Sequence, residues 1–221
     1  MAKQAAAKAT KPEDKAAKIH SAFINYVLEH GKEPASIYKF MKDLKMTEVT
    51  FYNHYNSFSA LRQHVWLGFL EQTIANLHSE EAFIQYSARE KLLALYFTLI
   101  EVLKENRSYA LIDMKKAKKP EITPEFLKAF KHRFLQFADE VLLQAKETEE
   151  VVDRPIIGDR YKYGLWLQTM FVLQFWAKDD SIGFEKTDAA IEKAVNVAFD
   201  LMGKSPLDSM VDFAKFLFQN R

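Results

Sequence analysis

The stretch SIYKFMKDLKMTEVTFYNHYNSFSAL, residues 36–61, decides the fold. Ser36 is a good N-cap, and Ile37, Phe40, Met41 and Leu44 follow at the three- and four-residue spacing of one helix face. Three residues on, Thr47 can cap a second short helix, anchored by Phe51 and Tyr55. Ser57 then offers a cap to a long helix through Leu61, Val65, Phe69 and Ile74. Two short helices joined by so tight a turn match a helix-turn-helix, whose second helix can enter a major groove. At about 100° per residue, Phe51 and Tyr55 share the inward face. Val49 and Asn53 then lie opposite them, with Thr50 and Tyr52 flanking.

Upstream, a helical pattern after Pro12 repeats Ile19, Phe23, Tyr26 and Val27 and stops at Gly31. Downstream, from about Ala88, the helices become longer and more apolar. Residues 92–103 are apolar around most of the circumference, which implies burial on several sides. A helix over residues 108–118 is closed by KKAKKP. The next starts at Thr123 with Pro124 in its first turn, and Phe126, Phe130, Phe134, Phe137 and Val141 form one stripe. The acidic linker ETEEVVDRP leads to a helix over 158–178 that carries Trp166, Met170, Phe171, Leu173, Phe175 and Trp176. A last pair covers 187–202, ended by Gly203, and 207–219. No segment alternates with a two-residue period and no solenoid repeat exists, so the expected fold is all-α. The expected domains are a flexible basic arm over 1–14, a helix-turn-helix domain over 15–60 and a helical domain over 61–221.

Composition narrows the functions. In 221 residues, 48% are hydrophobic and 18 are Phe, enough for a sizeable core. Without cysteine the chain has no disulfide, thiolate metal site or cysteine nucleophile, which fits a cytoplasmic protein. The Ala/Lys-rich start has no apolar stretch of the kind a secretion signal needs. The longest charge-free run, 164–177, falls short of the ~20 apolar residues of a membrane span. The formal charge of +1 conceals an asymmetry. Ten basic residues against six acidic ones precede Trp66, so the first part is +4 and the rest −3. There is no G-x-S-x-G elbow, P-loop or H-E-x-x-H, and the six His show no metal-ligand spacing, so neither an enzyme nor a cofactor is expected.

Within the opening stretch, Thr50, Phe51, Tyr52, His54, Tyr55, Ser57 and Leu61 match a known signature in order and spacing. In it a Thr, an apolar residue, Tyr, a variable residue, His or Arg and an aromatic precede Ser-Lys-x-x-Leu. On these residues the chain resembles the TetR (tetracycline repressor)/AcrR-type family of transcriptional regulators over about residues 15–66. Two positions depart from it. Phe58 stands where the family has a phosphate-contacting Lys, and Lys45 where it has a turn Gly.

The resemblance implies a homodimer that binds double-stranded operator DNA and responds to a hydrophobic small-molecule effector. Asn53 would read adenine, Val49 a thymine methyl, and Glu48 could accept from cytosine. Hydroxyls of Thr50 and Tyr52 would reach phosphates, as would backbone N–H groups at Ser36 and Thr47. Lys45 and His54 complete the expected DNA-facing set. By analogy the effector would lie among Phe97, Ile100, Leu111, Met114, Phe130, Phe134, Trp166 and Met170. The helices around Trp166 and Val195 would form the dimer interface. A second, shorter resemblance links FWAKDDSIGFEKTDAAI, residues 175–191, to lipid-binding ubiquinone-biosynthesis proteins of TetR-type fold that do not act as repressors. It supports an alternative: a lipid or isoprenoid binder that does not bind DNA.

Overall fold

The structure is a computed structural model and describes residues 15–116, 122–154 and 158–204, with 216, 217 and 219. The expected basic arm and the final helix over 207–219 lie outside these, apart from positions 216, 217 and 219. Among the described residues every regular element is helical. These residues divide into two compact units between Leu61 and Arg62.

The first unit holds α1 (Lys15–His30), α2 (Ile37–Asp43), α3 (Glu48–Tyr52) and the start of α4 (Phe58–His78). Its core is aromatic. Phe58 stacks on Phe23 at 5.7 Å and meets Phe40 and Phe51 edge-on at 5.6 Å each. Such pairs contribute about 0.5–1.5 kcal/mol each beyond their buried area. Ile19, Val27, Met41 and Leu61 complete the core. Gly31, at φ 64°, ends α1 in a left-handed turn that glycine adopts without steric cost.

The second unit contains the rest of α4, then α5 (Ala88–Glu105), α6 (Arg107–Lys116), α7 (Lys128–Glu147), α8 (Tyr161–Lys178) and α9 (Glu185–Met202). α5 packs against α7, α8 and α9. This explains why it buries eight residues around its circumference, including Leu92, Leu95, Tyr96, Leu99 and Ile100. A Ser87/Glu90 capping box starts it, and Glu150 accepts from the Ala88 and Arg89 N–H groups.

Several boundaries differ from expectation. Thr123–Pro124 opens not the long helix but a 3-10 turn at Glu125–Leu127, and α7 begins at Lys128. The 3-10 turn at Glu81–Gln85 has no counterpart in the sequence reading. α6 begins at Arg107 and α9 at Glu185, one and two residues early.

Candidate nucleic-acid interface and the apolar interior of the second unit

The short helices α2 and α3 are set by their caps. The Ser36 hydroxyl accepts from the Lys39 N–H at 3.2 Å, and the Thr47 hydroxyl from the Thr50 N–H at 3.3 Å. Ser57 does the same for α4, accepting from Ala60 N–H at 3.1 Å. Phe51 and Tyr55 are buried, so the opposite side of α3 faces outward: Val49 is 66% exposed and Tyr52 55%. Asn53 is exposed too, as the C-cap just past the helix, its N–H donating to the Val49 carbonyl. Lys45 and His54 are exposed and Glu48 is half-buried. Thr50 is half-buried, with its hydroxyl 3.1 Å from that of Thr47.

Between α2 and α3, Lys45 takes a left-handed conformation at φ 56°. Its N–H donates to the Lys42 carbonyl and that of Met46 to the Met41 carbonyl, the hydrogen-bond pair of a Schellman helix end. Glycine is the residue this position favours, because a Cβ crowds the following carbonyl. Lys45→Gly is therefore expected to stabilise the protein by about 1 kcal/mol. Denaturant unfolding checks this, and a lower midpoint would show that the lysine stem has contacts outweighing the strain.

Sequence reasoning found α2 but missed its outward face. Tyr38 is 60% exposed, Lys39 and Lys42 are exposed beside it, and the Lys42 ammonium lies 5.9 Å from the Tyr38 ring centroid. The signal was present in the spacing, since 38, 39 and 42 are the positions left over once Ile37, Phe40 and Met41 turn inward.

In the second unit, the structure gathers part of the expected effector set. Phe130 and Phe134 of α7 approach Trp166 of α8 at 6.2 and 5.9 Å, all three buried. Met170 is buried one turn along α8, and Ile100 is buried on α5. Phe97, Leu111 and Met114 are half-buried on α5 and α6. The polar atoms here are few and paired. Trp166 Nε1 donates to Thr123 Oγ1 at 3.0 Å, and the Tyr96 hydroxyl lies 3.0 Å from that of Thr169. Burial raises the Tyr96 hydroxyl pKa far out of the physiological range, so it stays protonated.

Sequence reasoning also missed a polar cluster between α4 and α6. Asp113 is fully buried, accepts from Trp66 Nε1 at 3.0 Å and lies 3.4 Å from Arg62 Nε. The Tyr109 ring is buried alongside; burial, with the Asp113 charge second, pushes its hydroxyl pKa far up.

The residues of the second resemblance bond to one another. Both Asp179 carboxylate oxygens are used: Oδ1 accepts from the Ser181 N–H and hydroxyl, Oδ2 from the Thr187 N–H and hydroxyl. Arg107 lies over the Trp176 and Phe184 rings at 4.7 and 4.4 Å and donates to the Trp176 and Asp179 carbonyls. The pattern thus fastens the start of α9 to the end of α8.

Among the described residues, no helix is long and apolar enough to cross a membrane. No group of three or more His, Cys, Asp or Glu among them is arranged to hold a metal ion.

The chain is similar to proteins of one family. The family described as "Tetracyclin repressor-like, C-terminal domain" matches residues 91–217. A protein from Syntrophomonas wolfei str. Goettingen, named for the TetR family of transcriptional regulators, superposes with a TM-score of 0.65 at 19% identity. The match covers 87% of this chain and 96% of that one. A regulatory protein of the tetR family from Rhodococcus RHA1 gives a TM-score of 0.49 at 14% identity, over 87% of this chain and 99% of that one. No curated protein matches the sequence. The second unit, from α5 onward, carries the sequence match, and the all-helical architecture agrees with it: the chain belongs to the tetracyclin repressor-like family.

Proposed function

We propose that this chain is a homodimeric, cytoplasmic transcriptional regulator. It binds double-stranded operator DNA through its helix-turn-helix and responds to a hydrophobic small molecule held in the second unit. The observation that carries the reading is the outward face of α3. Val49 and Tyr52 are more than half exposed beside Asn53, on a helix whose other face is locked by Phe51, with Tyr55 buried just past its end. Large apolar and aromatic side chains left open on so short a helix call for a partner surface, and a major groove accepts such a helix. In this reading Asn53 reads adenine and Val49 a thymine methyl. Tyr38, Lys39 and Lys42 on the preceding helix join Tyr52 in holding phosphates.

Phe58 is a core residue of the first unit and supplies no phosphate contact, so in this reading that contact comes from the exposed Lys39 and Lys42. The lipid-carrier alternative loses its motif, because Asp179, Ser181 and Thr187 spend their side-chain oxygens on each other.

The homodimer rests on α8 and α9. Tyr163, Leu167, Phe171, Val197 and Leu201 are each 44–59% exposed. A groove of about 590 Å³ between the two helices is lined by Leu167, Phe171, Val197 and Leu201. Five large side chains half open to water leave on the order of 400–500 Å² of apolar surface, the upper range for a monomer. That is over half of the roughly 800 Å² per partner that a stable interface buries. An effector would then act by binding better to the dimer whose recognition helices are wrongly spaced for DNA, since equal affinity shifts nothing.

Fluorescence anisotropy with DNA from upstream of the protein's own gene, against scrambled DNA at two salt concentrations, tests the DNA reading. Sequence-dependent binding is expected, and Asn53→Ala should weaken it by about 1–3 kcal/mol. Binding that is blind to sequence and vanishes with salt would reduce the interaction to general attraction by lysines.

A further inference from the structure

We infer that the operator is read beneath α3 chiefly through the 5-methyl groups of thymine, and not through guanine. This rests on the DNA reading and names the class of sequence that reading requires. Two features favour a duplex on this face. Ten basic residues against six acidic ones precede Trp66, and Lys39, Lys42 and Lys45 stand exposed on α2 and in the turn before α3. α3 itself carries no cation. From Met46 to Tyr55 there is no Lys or Arg, so the bidentate contact by which proteins most often recognise guanine has no bearer there. Lys39 and Lys42 lie on the helix that crosses the sugar-phosphate backbone in this motif. They serve phosphate, which carries no sequence information.

What α3 presents outward is largely apolar. Val49 is 66% exposed, and its side chain has neither donor nor acceptor. The apolar feature that a base edge offers in the major groove is the thymine 5-methyl. Tyr52, 55% exposed, follows three residues later on the same side of the helix, so its ring and the Val49 methyls can flank one such group. The polar groups of α3 do not suit guanine either. Glu48 is half-buried at the start of the helix, and its carboxylate only accepts, as do guanine O6 and N7. The Thr50 hydroxyl lies 3.1 Å from that of Thr47 and is engaged within the chain. The exposed Asn53 amide matches adenine, the partner of thymine, so Val49 and Asn53 both favour A·T pairs. Burying a methyl group releases no counterions, so this share of the affinity does not depend on salt, unlike the share from lysine.

The test is selection of duplexes from a random-sequence pool by the full chain, then fluorescence anisotropy on the enriched duplex and two analogues of it. One analogue has deoxyuridine for every thymidine, which removes the methyls and keeps every hydrogen-bonding group. The other has 7-deazaguanine for guanine, which removes the N7 acceptor. Deoxyuridine is expected to weaken binding roughly fourfold for each methyl lost against Val49, on the order of fifteenfold over two half-sites. The factor should be the same at low and high salt. 7-Deazaguanine should leave binding within about twofold. Val49→Ser changes an exposed position outside the core, and should cut the deoxyuridine penalty to about twofold or less, because the methyl then meets nothing apolar. An enriched duplex that binds equally well with deoxyuridine would overturn the inference and leave the DNA reading standing. So would a loss with 7-deazaguanine as large as that with deoxyuridine, which would move recognition to guanine. A deoxyuridine penalty unchanged in Val49→Ser would also overturn it, by assigning the effect to duplex shape. A pool in which no sequence is enriched would remove the DNA reading and the inference together.

Discussion

Replacing Asp113 by Ala should destabilise the protein by about 3 kcal/mol in urea unfolding. The carboxylate is fully buried between α4 and α6, where Trp66 Nε1 donates to it and Arg62 lies 3.4 Å away. Taking it out leaves an indole N–H without its acceptor and a guanidinium without its counter-charge. Breaking such a pair typically costs 3–5 kcal/mol. The low end applies because the Arg62 side chain is 18% exposed and can turn part of its charge to water. The comparison that isolates the cause is the double variant Arg62→Met with Asp113→Leu. Removing both charges together should cost far less than removing one, because neither is left stranded. If Asp113→Ala and the double variant lose stability equally, the cluster matters for its shape and not for its charge.

Asp179→Ala should cost about as much, on the order of 3 kcal/mol, because one carboxylate accepts four hydrogen bonds from Ser181 and Thr187. The loss falls on the start of α9, where Gly183 and Phe184 both hold left-handed conformations at φ 65° and 66°. Two such residues in succession persist only where their surroundings hold them. The effect depends on pH. Burial alone would raise the Asp179 pKa, but the four donors outweigh it and hold the group well below the usual carboxylate range. A depressed folded-state pKa gives stability that is present above the unfolded value and lost as the pH falls toward the folded one. The gap between wild type and Asp179→Ala is therefore full at pH 7 and narrows only below about pH 4. A gap that did not change between pH 7 and pH 3 would show that the carboxylate's charge plays no part.

What could be read from the sequence follows from how local each cause is. Helix period, the caps Ser36, Thr47 and Ser57, and the anchors Phe51 and Tyr55 are properties of short windows, and the structure has them as expected. The start of α7 was misplaced because Pro124 is equally at home opening a 3-10 turn, and only packing chooses between the two. The expected set in the second unit divided in the same way. All eight were placed by analogy; Phe130, Phe134 and Trp166 come together because they face each other across α7 and α8, while Phe97, Leu111 and Met114 stay half-buried. The Asp113 cluster was invisible, since its partners are 47 and 51 positions away and nothing in the window LIDMK marks an aspartate as buried.

Phe58 is built into the core of the first unit. Its ring touches Phe23, Phe40 and Phe51, so the first unit was shaped around an aromatic side chain at this position. A lysine at this position would put an ammonium into a cluster of three rings and remove the ring that joins them. Attraction for an anionic polymer has to be supplied elsewhere on the surface, where Lys39 and Lys42 stand exposed.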